Sequence, residues 1–326
     1  MRTFLFRAMM SVCAALPATA PAQWVTSSEP FYLPARHNWN FRRTYPVPDR
    51  LFNAFDYGHA ILYERLWSTP GATVAELEER EFAFITKSLL VRPPRLPLAE
   101  SAVAPDYVRL VPEAQAMFHW AHLLHRQIYD VLSDDRLSDS AKDAEVRTLL
   151  EYYRSEHRLA LSEVPKSMEL MNGQSYSLAF LNRYPKFNGL IWAYHWLQIG
   201  LYEALLIGKT PPEREAAVAR TVARFRAMVD GAPATLPTEM PLAPTVAPTF
   251  AKRFPEAAIV FDNLHAMHDV ISDVLTNPAV PRQAKRAEIL RAAARYRDGT
   301  TSTVTRDEWW HMAESMGEAA QGGRVR

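Results

Sequence analysis

The chain has 326 residues, 37 Lys+Arg against 36 Asp+Glu, and a single cysteine. Balanced charge argues against a broadly basic nucleic-acid-binding protein, and one cysteine excludes an internal disulfide framework or a Cys-rich zinc or iron–sulfur site. Only 11 glycines stand beside 24 prolines, which disfavours folds built on many tight β-turns, and neither G-x-G-x-x-G nor G-x-x-x-x-G-K-[ST] occurs, so the usual dinucleotide and P-loop signatures are missing.

In chain order, residues 1–22 come first. Arg2 and Arg7, the apolar run from Ala8 to Leu16 and the small-residue site Ala20-Pro21-Ala22 have the layout of a secretory signal peptide. The reading implies a bacterial periplasmic or secreted protein. Its mature chain would start at Gln23 and carry no cysteine, because Cys13 leaves with the signal. No later stretch reaches eighteen apolar residues without charge, so no transmembrane span is expected in the mature chain.

Next comes an internal repeat. Residues 103–154 align without gaps to 246–297, with 19 identities in 52 positions, among them Pro112-Glu113-Ala114 with Pro255-Glu256-Ala257 and His122 and His125 with His265 and His268. Upstream, Leu62-Tyr63-Glu64 pairs with Leu201-Tyr202-Glu203. The expected organisation is repeat one at 45–156, a linker at 157–183, repeat two at 184–298, and a C-terminal helix and tail at 299–326. Apolar positions recur at helical spacing, giving helices at 50–67, 73–91, 111–133 and 138–156, then 187–207, 211–230, 254–276 and 281–297. Thr305 to Glu308 reads as a capping box for a last helix. The fold class expected is all-α: two tandem helical repeats related by a pseudo-twofold axis, each with a Pro-rich loop (92–106 and 232–250).

Chemistry-bearing residues concentrate on the first and third helices of each repeat. His125 lies within the apolar face of helix 111–133, His122 on its edge, and His119 points away. Histidines three apart share one side of a helix, and neutral imidazole is the commonest metal ligand. His122, His125, His265 and His268 are therefore candidate ligands. Glu203 sits on a helix that is apolar nearly all round, and a buried carboxylate needs a partner; Glu64 is its counterpart. Asp56 and His59 face inward on the first helix, with His195 and Gln198 at the matching positions. Glu64, Glu203, His59 and His195 complete the candidate set, for iron, copper, zinc or manganese. Asp130 and Asp273 read as solvated edge residues. Gly-x-Ser-x-Gly, His-Glu-x-x-His and Cys-x-x-Cys-His are absent, so no catalytic motif settles whether the protein is an enzyme.

Paired helical units that each offer a carboxylate helix and an i,i+3 helix resemble the site logic of ferritin-like di-iron proteins, although His-x-x-His stands here where those use Glu-x-x-His. The blocks PKFNGLIWAYHWLQIGLYEALL and FDNLHAMHDVISDVL resemble a membrane-extrinsic subunit of a bacterial photosynthetic reaction-centre assembly. That resemblance implies a structural partner, a membrane-protein complex met on its periplasmic face. Three functions are thus expected: a metal-binding and redox-related protein, a docking subunit, or a helical module for a small ligand between the repeats.

Overall fold

Proline writes much of the helix plan. It lacks a backbone N–H and has φ fixed near the helical value, so it suits the first position of a helix, while the residue before it is steered away from helical angles. The long helices α1 (Pro46–Ser68), α3 (Pro112–Leu132), α5 (Pro185–Ile207), α6 (Pro211–Asp230) and α7 (Pro255–Thr276) all open on proline. The others are α2 (75–89), α4 (Asp139–Ser155), α8 (Lys285–Arg297) and α9 (Arg306–Ser315). In α2, stretches at Ala75–Glu81 and Ile85–Leu89 have wide i→i+5 hydrogen bonding. Thr210 with Glu213 and Thr305 with Glu308 form capping boxes on α6 and α9.

The computed structural model describes residues 29–97 and 99–326; the expected signal segment, 1–22, lies outside them. The protein is all-α: among the described residues no strand forms, and one isolated antiparallel bridge joins Lys166 to Thr303. The expected Pro-rich loops are helical in their last part. Glu100–Val103 and the start of Pro105–Leu110 lie in the first, and Ala243–Val246 with the start of Pro248–Arg253 in the second. The Ala104-Pro105 and Ala247-Pro248 steps each end one short helix and begin another, so the chain turns a corner there without unwinding.

Four helices make the centre. α7 packs on α1 and α3, and α5 packs on the same two. α4, α6 and α8 lie outside, against α3, α5 and α7 respectively. α5 is buried from Phe187 to Leu206 and α7 from Ala257 to Thr276, which explains why α5 is apolar nearly all round: a helix surrounded by protein has no wet face to make polar. The C-terminal segment lies back over this core, where Trp196 Nε1 donates to the Gly323 carbonyl at 2.6 Å and Val325 N to the Val246 carbonyl at 3.1 Å.

Candidate metal centre

Each of the four central helices sends an i,i+3 pair inward: Asp56 and His59 from α1, His122 and His125 from α3, His195 and Gln198 from α5, His265 and His268 from α7. Residues three apart on a helix stand about one turn apart on the same side, so the four pairs gather into one polar cluster in an otherwise apolar core. His59, His125, His195, His265 and His268 are buried and His122 is half-buried.

Three of these imidazoles converge. One nitrogen each of His59, His195 and His268 lies within 4.8 Å of the other two. His268 Nδ1 and His195 Nε2 are 3.4 Å apart, and the His59 ring stands 4.4 Å from that of His268 and 5.5 Å from that of His195, centroid to centroid. Each of the other three turns one ring nitrogen toward a neighbour and leaves the other unpaired. His265 stacks on His195 at 4.0 Å and places Nε2 3.2 Å from Gln198 Oε1. His125 Nδ1 lies 2.5 Å from the Tyr202 hydroxyl, which also reaches the His125 carbonyl at 2.9 Å. His122 Nδ1 faces Asp56 Oδ1 at 3.7 Å, while Asp56 Oδ2 accepts from Arg126 Nη2 at 2.7 Å.

Burial sets the protonation. It pushes His59 and His122 down to about 3 and holds His125, His195, His265 and His268 well below the ordinary histidine value. The imidazoles are therefore neutral at pH 7, each with one unprotonated ring nitrogen that can serve as a ligand. Both ring nitrogens of His59 and Nδ1 of His195 have no hydrogen-bond partner, although a buried polar atom left unpaired costs about 1–3 kcal/mol. Two nitrogens bound 2.0–2.1 Å from one tetrahedral ion stand about 3.4 Å apart, the separation found between His195 and His268. Three neutral imidazoles suit zinc, copper, iron or nickel.

The remaining expected ligands have other work. Glu64 Oε2 accepts from the backbone N–H groups of Asp106 and Tyr107, both at 3.0 Å, and Glu203 Oε2 from those of Thr249 and Phe250 at 2.9 and 3.1 Å. These carboxylates tie down the starts of Pro105–Leu110 and Pro248–Arg253, where free N–H groups favour an anion. His122, His125, His265, Glu64 and Glu203 therefore stand outside the converging trio. Asp130 and Asp273 depart from the solvated role expected of them. Both are buried, and each accepts two backbone N–H groups, Asp130 from Trp39 and Phe41 and Asp273 from Leu178 and Phe180.

A pocket of about 50 Å³ abuts the trio through His59 and His268. Its walls include Tyr63, Glu100, Arg126 and His119, the last of which the helical wheel turned away from the core. Glu100 and Arg126 carry no spacing signal in the sequence, because the pocket is assembled from segments that meet only in the fold. Comparison with known protein families, curated proteins and solved structures found no match.

Proposed function

We propose that the protein binds a transition metal at His59, His195 and His268, with copper or zinc favoured. The observation that carries this reading is the convergence of three neutral, buried imidazoles whose nitrogens lack enough partners of their own. Among divalent first-row ions, imidazole sites bind copper most tightly. Three protein ligands leave one tetrahedral position open, as in catalytic rather than structural sites, and redox chemistry follows if the ion is copper or iron. The reading also takes the repeats as related by a pseudo-twofold axis with the metal where they meet. In support, Tyr63 Oη donates to the His268 carbonyl at 3.2 Å and its aligned partner Tyr202 donates to that of His125, the position aligned with His268.

Elemental analysis tests this. Protein purified without chelator is expected to hold about one equivalent of metal. His59→Ala, His195→Ala and His268→Ala should each weaken binding at least tenfold, while His311→Ala, at an exposed position, should not. Metal-free protein that also fails to take up added Cu2+ or Zn2+ would sink the proposal. We further propose export to the bacterial periplasm, which mass spectrometry checks: the mature chain is expected to begin at Gln23. A second reading, docking on a membrane-protein complex, draws support from the exposed apolar side chains Val74, Phe84 and Val91 in and beside α2; it predicts co-purification with membrane proteins.

A further inference from the structure

The trio is not sealed on every side. The 50 Å³ pocket touches His59 and His268, and it shares Glu100, Gln115 and His119 with a wider surface chamber of about 530 Å³. These three residues line both cavities and so form the boundary between them, the neck that an entering ligand would have to pass. The inner pocket holds a few water-sized groups and no more. It is also polar where it meets the histidines: the Asp56–Arg126 ion pair lies in its wall, and Asp56 Oδ1 and His122 Nε2 are buried without partners. A dry apolar void would offer an incoming ligand nothing but volume, whereas this pocket offers a guanidinium, a carboxylate and an imidazole beside the metal ligands. Burial pushes the Glu100 carboxyl at the neck up to about 8, so at neutral pH the neck carries little negative charge to repel an anion.

Resting on the metal reading, we infer that the pocket admits an exogenous ligand of two or three heavy atoms, a small anion or a dioxygen-sized molecule, to the metal's open position past Glu100, Gln115 and His119. Unpaired buried atoms stand on both sides of the trio: Asp56 Oδ1 and His122 Nε2 on one, His125 Nε2, His265 Nδ1 and Gln198 Nε2 on the other. The sides differ in space. The pocket is lined by Asp56, His59, His122 and His268, and His125, Gln198 and His265 do not reach it. Access is therefore on the His59–His268 side, and size is the filter.

Co2+-loaded protein, with azide as the probe, tests the inference, because the visible spectrum of Co2+ reports its coordination. Azide is expected to shift the bands of the wild type, and imidazole, whose ring exceeds the pocket, to leave them unchanged. Val103→Trp, which fills the inner pocket from the short helix Glu100–Val103, should keep one equivalent of Co2+ and weaken azide binding at least tenfold. Gln115→Trp, at a half-buried position in the neck, serves as an independent block should the first variant not fold. A Co2+ spectrum indifferent to azide, or two blocked variants that bind azide as the wild type does, overturns the inference and leaves the metal centre standing. Protein that takes up none of Co2+, Cu2+ and Zn2+ overturns both; should only Cu2+ bind, the same azide test is read in the Cu2+ spectrum.

Discussion

Single side chains in this protein repeatedly do work at a distance from their own helix. Asp130 and Asp273 each hold two backbone N–H groups of a short helix that precedes a long one, at 2.8–2.9 Å. Burial outweighs those bonds and pushes the carboxyls up, Asp130 to about 7 and Asp273 to about 6, from an ordinary 3.8. A group whose proton is held more tightly in the folded state stabilises fully below its unfolded value, and that contribution fades as pH rises through the folded value. The window here runs from about pH 4 to pH 7. Asp130→Asn leaves one buried N–H facing an amide N–H₂, at a cost of about 1–3 kcal/mol, and does not titrate. Urea unfolding should thus find the gap between wild type and variant larger at pH 4.5 than at pH 7.5; a gap constant across that range contradicts the assignment. The sequence placed these aspartates on a helix edge correctly, yet read the edge as wet. The segments that cover it, near Trp39 and Leu178, lie some ninety residues away, and helical spacing carries no information about them.

At the scale of elements, helix ends decide the architecture. The buried lysines Lys142 and Lys285 illustrate this. Lys285 Nζ donates to the carbonyls of Val274, Leu275 and Asn277 at 2.6, 2.8 and 3.1 Å, and Lys142 Nζ to that of Leu132 at 2.8 Å. Each closes the C-terminus of the preceding long helix, where unsatisfied carbonyls favour a cation. Glu203 does the converse at the start of Pro248–Arg253. Lys285→Met keeps the apolar stem and removes the donor, so it should cost roughly 2–3 kcal/mol, as breaking a charged buried hydrogen bond does. Glu203→Gln is expected to destabilise by about 1–2 kcal/mol, because both N–H groups bond to Oε2 and an amide oxygen there accepts them without the carboxylate's charge. Because Glu203 is bonded to backbone, Glu203→Gln should leave metal content unchanged, and chemical denaturation paired with elemental analysis checks both halves of that statement. Loss of metal in Glu203→Gln would return the residue to the ligand set. The long helices were legible because proline starts and 3.6-residue periodicity are local signals. The four- to six-residue helices within the Pro-rich segments were not, since so short a turn shows no period, and the six-residue ones are held by carboxylates more than forty residues distant.

Across the whole molecule, the site and the core are one object. The histidine pairs were visible as spacing, but which three nitrogens meet depends on how α1, α5 and α7 cross, which spacing does not encode. His59 comes from the first half of the chain and His195 and His268 from the second, so a bound ion would fasten the halves through their centre. Protein contacts already do so: Tyr129 Oη donates to the Gln198 carbonyl at 2.5 Å, and Arg253–Asp143 and Arg286–Glu113 pair at 2.7 and 2.6 Å across the outer layer. The outer ion pairs are solvent-facing and worth at most about 1 kcal/mol each, whereas the tyrosine contact is buried, and with it the apolar packing of α5 and α7 carries the coupling. Unfolding is accordingly expected as a single calorimetric transition, with no separate melting of 45–156 and 184–298. Metal at one hundred times its dissociation constant adds about 2.7 kcal/mol, so chelation should lower the midpoint by roughly 5 °C in a chain of this size. In His268→Ala, where binding is at least tenfold weaker, the chelator shift should fall to about half or less. Two resolved transitions would mean that the halves fold independently and merely touch; one transition, shifted by chelator more strongly where the trio is intact than in His268→Ala, makes the metal part of the fold's own thermodynamics.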